Sequence, residues 1–113
     1  MQKSIVVRTS FEGMHQYKDA PEEVKFLRDL HRHIFYIEAE IEVFHNDREL
    51  EFIIVKRGIE KFIKDDILFS DGASCEQMAE AIIEYLIDRY GERQMIVGVY
   101  EDNENGGKIY HEC

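Results

Sequence analysis

Residues 33–44, His33-Ile34-Phe35-Tyr36-Ile37-Glu38-Ala39-Glu40-Ile41-Glu42-Val43-Phe44, alternate without a break. His33, Phe35, Ile37, Ala39, Ile41 and Val43 fall on one side of an extended chain, and the acids Glu38, Glu40 and Glu42 fall on the other. Successive side chains of a strand point to opposite faces, so this stretch predicts a long strand with one buried and one wet side. An antiparallel sheet can be solvated on one face in this way.

Working outward, His45-Asn46-Asp47 reads as a turn, and residues 49–55 read as a strand returning beside the first to form an antiparallel ribbon. Upstream, residues 4–9 are rich in β-branched side chains and predict a strand running on toward Phe11, with His15 at its far end. Residues 16–29 are polar and charged. Lys18-Asp19-Ala20-Pro21 marks a turn there, and Pro21-Glu22-Glu23 opens a short helix ending near Leu30, a cap over the strand ends.

Downstream, Ile59, Phe62, Ile63 and Ile67 recur at helical spacing within residues 58–68, before a turn at Asp71-Gly72. Ser74 with Gln77 three residues on forms a capping box, opening a helix that runs to about Tyr90 and stops at Gly91. Met78, Ala81, Ile82, Tyr85 and Leu86 give that helix an apolar stripe, which core packing accounts for. Residues 94–101 predict a strand, 102–107 a polar, glycine-bearing turn and 108–111 a short return. Strands at both ends with helices gathered between them predict an α+β fold: an antiparallel sheet with two helices on one face.

The 113 residues, 44% of them hydrophobic, form one domain, 1–113, with a modest core. Fourteen basic against 24 acidic side chains give a net charge of -10, which repels a phosphate backbone and argues against nucleic acid and anionic membranes as partners. No apolar run approaches the roughly 18 residues of a membrane span, and Met1-Gln2-Lys3-Ser4 lacks a secretory leader's apolar core, so a cytoplasmic protein is expected. The two cysteines, Cys75 and Cys113, are too few for a disulfide framework and fit a reducing compartment.

The histidines carry the chemistry. His31 and His33 stand two apart at the mouth of the long strand, point to one face and can present two imidazoles to one ion. A strand pairing alongside brings in His15 as a third ligand. Three neutral imidazoles with an open fourth position are the pattern of a catalytic zinc site, whereas a structural site is usually closed by four ligands, often cysteines. Taken alone, an H-x-H pair is more commonly a surface or satisfied core feature than a metal site.

Phe11-Glu12-Gly13-Met14-His15 followed by His31-Arg32-His33 resembles the 6-pyruvoyltetrahydropterin synthase and 6-carboxytetrahydropterin synthase family, with its F-x-A-x-H and H-G-H motifs. Glu51-Phe52 falls where that family closes a strand with an acid and a phenylalanine. Ala73-Ser74-Cys75-Glu76 falls on its P-T-[ST]-E helix start, and Tyr100-Glu101 on a late strand ending in glutamate. The resemblance implies the tunnelling fold, ββααββ, with sheets joined into a barrel in a trimer, two trimers stacked as a hexamer, and sites where subunits meet. It implies zinc on His15, His31 and His33, holding the hydroxylated side chain of a reduced pterin. Glu101 would then anchor the pterin's amino-pyrimidinone edge, and Ser74 and Cys75 would line the pocket. Ser74 reads equally as a helix N-cap.

Two departures matter. Leu27 stands where the family carries its catalytic cysteine, four residues before His31, and no histidine lies between His45 and His111 to serve in the family's Asp-His pair. The 51–76 stretch is also short for the family. Asp29, Glu23 and Cys75, with Cys113 reaching across an interface, are the candidates for a replacement base. Three readings follow: a zinc-dependent lyase with non-standard catalytic residues, a relative running another reaction on a pterin or purine-like ligand, and a ligand-binding or interaction protein without turnover.

Overall fold

The computed structural model describes residues 1–66, 69 and 72–113. Two long strands, β1 (Lys3–His15) and β2 (His31–Val43), pair antiparallel over their whole length, from Lys3 opposite Val43 to His15 opposite His31. After the helices α1 (Phe52–Asp65) and α2 (Cys75–Tyr90), β3 (Met95–Glu101) takes the other edge of β2, with Met95 opposite Ile41 and Glu101 opposite Phe35. β4 (Gly106–His111) pairs with β3, so the antiparallel sheet has the order β1-β2-β3-β4 and the chain the order ββααββ.

The alternation in β2 decides which face the helices cover. Phe35, Ile37, Ala39, Ile41 and Val43 are buried, and they meet Val55, Ile59 and Ile63 of α1 and Met78, Ile82 and Leu86 of α2. α1 lies against β1, while α2 lies against β3 and β4. Each such side chain taken fully out of water contributes about 1.5–3 kcal/mol, so this one layer is the main source of stability. The helices meet through a Phe62–Tyr85 ring stack at 4.7 Å, beside Gly58, where any Cβ would collide with the Tyr85 hydroxyl. No helix among the described residues covers the other face of the sheet, which carries pairs such as Arg8–Glu38 at 3.0 Å.

Residues 49–55 do not form a strand, which corrects the expected ribbon. Glu51 N-caps α1, its carboxylate accepting from the Ile54 N–H at 2.8 Å, and Phe52 is the first helical residue rather than the close of a strand. β2 has no free edge for a further strand, because β1 pairs along one side and β3 along the other. The run Phe52-Ile53-Ile54-Val55 is apolar without alternation, a pattern that strand and helix share. Only Val55 of the four is buried.

The cap over the strand ends is two tight 3-10 turns over Glu22–Arg28, broken at Val24, rather than a regular helix. α1 ends at Asp65; the expected extension to 68 and the turn residue at 71 lie outside the described residues. The capping box at Ser74 is present in full, and α2 stops at Gly91, whose φ of 87° is a left-handed value open to glycine. No helix among the described residues is long and apolar enough to cross a membrane.

Candidate functional site

The β1–β2 register brings the three histidines together. His15 stands opposite His31 and Gly13 opposite His33, so all three imidazoles rise from the helix-covered face at one end of the sheet. Their ring centres are 4.7 Å (His31–His33), 5.3 Å (His15–His31) and 6.0 Å (His15–His33) apart, with planes 63–89° from one another. Phe35 closes the floor, 5.9 Å from the rings of both His15 and His33. Gly13 keeps the neighbouring wall close, since a Cβ there would stand 3.0 Å from the Phe69 carbonyl.

Each ring is fixed through Nδ1. His15 Nδ1 donates to the Ala73 carbonyl at 3.0 Å and His31 Nδ1 to the Asp29 carbonyl at 2.7 Å. His33 Nδ1 donates to the Asp102 carboxylate at 2.7 Å. These oxygens accept only, so each Nδ1 carries a hydrogen, and whenever a ring is neutral its Nε2 is the atom that offers a lone pair. The Nε2 atoms of His31 and His33 are buried and have no hydrogen-bond partner among the described residues, although a Glu101 oxygen lies 3.5 Å from that of His33. Outer partners that fix tautomer and orientation while Nε2 stays free characterise imidazoles that bind metals. The donor set therefore suits zinc.

Glu101 comes from the end of β3, on the same face as its partner Phe35. Its two oxygens lie 3.2 Å from His15 Nε2 and 3.5 Å from His33 Nε2. Asp102, the next residue, is a member of the site that the sequence reading left in a turn. Its φ of 52° starts the β3–β4 turn and swings the carboxylate onto His33, where it also accepts from the Ile34 N–H at 3.1 Å. The His33 hydrogen bond, then the Ile34 N–H, hold the Asp102 carboxyl below its usual range. Only the register shows this, because Asp102 and His33 are 69 residues apart.

Beside the histidines opens a cavity of about 660 Å³, lined by His15 and Glu101, by Ser74, Cys75, Glu76 and Gln77 from the start of α2, and by Leu27 and residues 16–19 from the cap. Ser74 is committed to its helix, its hydroxyl accepting from the Gln77 N–H at 3.1 Å, yet it also faces the cavity. Burial pushes the Cys75 thiol up to about 11, with the Glu101 and Glu76 carboxylates adding to the effect. Such a thiol is neither thiolate nor base near neutral pH.

The other base candidates are placed differently. Asp29 meets the site through its main-chain carbonyl, with an exposed side chain, and Glu23 is exposed on the cap and does not line the cavity. Cys113 lies at the opposite end of the sheet, 3.9 Å from Glu92. There Glu92, His111 and Cys113 are the group of three ligand atoms, among the described residues, that lie within 4.8 Å of one another. The three-histidine cluster is set wider. No protein-family model matches the chain, and no curated protein matches it.

Proposed function

We propose that the chain is a zinc-binding protein of the 6-pyruvoyl- or 6-carboxytetrahydropterin synthase type, acting on or binding a reduced pterin or purine-like ligand in the cavity beside Glu101. The observation that carries this reading is the trio of imidazoles with Nδ1 tied to fixed oxygens, two of them with a buried Nε2 unspent. His15, His31 and His33 would hold the ion by drawing inward, in place of the contacts that Glu101 makes with two of them. A bound zinc supplies Lewis-acid polarisation of a ligand oxygen. Glu101 offers two acceptor oxygens to adjacent N–H donors of a heterocycle, and Leu27 supplies an apolar wall.

Assembly into a trimer or hexamer completes the proposal. Both β1 and β4 are edge strands, and closing sheets into a shared barrel removes such edges. A monomer by light scattering at micromolar concentration would count against a shared pocket.

A second reading, ligand binding without lyase turnover, is favoured by the cavity wall itself. Leu27 lines it where the family has a cysteine, and Cys75 is held protonated. The test is direct. Zinc analysis should find one equivalent fewer per chain in the His31→Ala, His33→Ala double variant than in wild type, and equal content would overturn the metal assignment. Titration with 7,8-dihydroneopterin triphosphate should show binding that Glu101→Gln weakens about tenfold or more, from the loss of a charge-assisted pair. Chromatographic detection of turnover at an ordinary enzymatic rate would restore the lyase reading and require a base that these residues do not supply.

A further inference from the structure

At the end of the sheet opposite the three histidines, β4 finishes on His111, with Cys113 two residues beyond, and the loop between α2 and β3 carries Glu92 alongside. His111 Nε2 donates to the Glu92 carboxylate at 2.8 Å, and Cys113 Sγ lies 3.9 Å from the same oxygen. The three ligand atoms all fall within 4.8 Å of one another. We infer that Glu92, His111 and Cys113 form a second metal site, for zinc or a divalent ion of the same borderline character.

Geometry and chemistry both support the inference. Around a tetrahedral ion, with metal–nitrogen and metal–oxygen bonds of about 2.0 Å and metal–sulfur of about 2.3 Å, neighbouring donors stand about 3.3–3.5 Å apart. Of the three separations, nitrogen to oxygen has to open and oxygen to sulfur to close, each by about half an ångström, and nitrogen to sulfur, within 4.8 Å, has to close by up to about 1.3 Å, which side chains at a strand end reach by torsion. One oxygen, one imidazole nitrogen and one thiolate are a donor set that zinc accepts, and the fourth position stays open to water. Binding takes the Nε2 lone pair of neutral His111, whose ring hydrogen moves to Nδ1, and replaces the thiol hydrogen of Cys113, so that one proton leaves to solvent.

The surroundings favour a cation. A cavity of about 320 Å³ at this end is lined by His111 together with Glu40, Glu42 and Glu112, with Lys3 among them. The ion would tie the edge strand β4 to the loop that opens β3. This site is independent of the three-histidine reading, because it shares no residue with it and alone includes a thiolate.

Cobalt(II) titration of the full chain, kept reduced with a phosphine, separates the two sites. Imidazole and carboxylate ligands give no intense near-ultraviolet band, whereas a thiolate on cobalt gives a charge-transfer band. The band should saturate at one cobalt per chain, persist in Cys75→Ser and in the His31→Ala, His33→Ala variant, and vanish in Cys113→Ser. Glu92→Ala and His111→Ala should each weaken cobalt binding tenfold or more. Cys113 is exposed, so its serine variant keeps the fold, with far-ultraviolet circular dichroism as the check. Absence of the band in wild type, its survival in Cys113→Ser, its loss in Cys75→Ser, or saturation at one cobalt per two chains would each overturn the site.

Discussion

The two ends of the sheet treat their buried polar groups in opposite ways. At the end where β2 finishes and β3 begins, Arg93 is buried and its guanidinium is spent on the fold through Nη1 and Nη2, with only Nε left without a hydrogen-bond partner among the described residues. It donates to the Glu42 carbonyl, to both oxygens of Glu49 and to the Tyr90 carbonyl, all at 3.1 Å, and lies over the Phe44 ring. These bonds fasten the 44–49 turn and the end of α2 to the sheet. At the histidine end, hydrogen bonds fix three rings and leave the buried Nε2 atoms of His31 and His33 without a hydrogen-bond partner among the described residues. A group whose bonds are satisfied inside the fold stabilises it; a group held rigid with acceptor capacity to spare is available to a ligand, and keeping it so costs stability.

The largest expected effect tests this contrast. Arg93→Ala strips the partner from Glu49, whose side chain is only 20% exposed, and should cost about 3 kcal/mol in urea unfolding. The His31→Ala, His33→Ala variant of the metal-free protein should stay within about 1 kcal/mol of wild type, because two unsatisfied atoms leave with the rings. Equal losses at both ends would erase the distinction. The Arg93 end also predicts a pH response. Glu49 is held below the usual carboxylate range, first by the Phe44 N–H and then by Arg93. A depressed folded pKa gives stability that is present above the unfolded value of about 4.3 and lost as pH falls through the folded value. Glu49→Gln should therefore flatten the acid limb of unfolding free energy below about pH 4.3. An unchanged slope would assign that limb to other carboxylates.

A smaller effect sharpens the histidine end. Asp102→Asn keeps an acceptor oxygen and tolerates the left-handed backbone at φ 52°, but removes the charge paired with His33 Nδ1. Zinc affinity measured by competition with a chelator should fall about tenfold, the low end of what outer partners of metal-bound histidines contribute. Thermal stability without metal should change little by comparison. If stability falls while zinc affinity holds, Asp102 serves the β2–β3 pairing alone.

How much of this was legible in the sequence follows from the range of each signal. The β2 alternation, the Ser74–Gln77 capping box and the Gly91 stop are local patterns, and each stands where the sequence put it. The ββααββ order also follows from them, once residues 49–55 are corrected. That error came from an apolar run without a period. The signal that would have settled it was Glu51 as a cap with Val55, Ile59 and Ile63 following at helical spacing. The meeting of His15 with His31 and His33 was legible through pairing logic, and Glu101 through resemblance alone. Asp102 was not legible, because its partnership with His33 depends on the β2–β3 register and on a turn conformation that no local pattern fixes. The same holds for Glu92, His111 and Cys113, which come from two separate segments.

The smallest effect concerns Ser74, where structural and ligand roles meet in one side chain. Its hydroxyl accepts from the Gln77 N–H while Gln77 Oε1 accepts from the Ser74 N–H at 2.9 Å, so both halves of the capping box are made, and the same residue lines the cavity. Ser74→Ala should cost about 1 kcal/mol of stability, the usual worth of an N-cap. Ser74→Asp caps as well as serine and should restore that loss, yet it adds a further carboxylate beside Glu101 and Glu76 in the cavity wall. If the hydroxyl serves only the helix, ligand titration of the aspartate variant should match wild type once stability is restored. If it also faces the ligand, binding of an anionic pterin should weaken while the unfolding midpoint stays at the wild-type value. Loss of both in the alanine variant, with recovery of stability alone in the aspartate variant, would place Ser74 in the binding wall as well as in the cap.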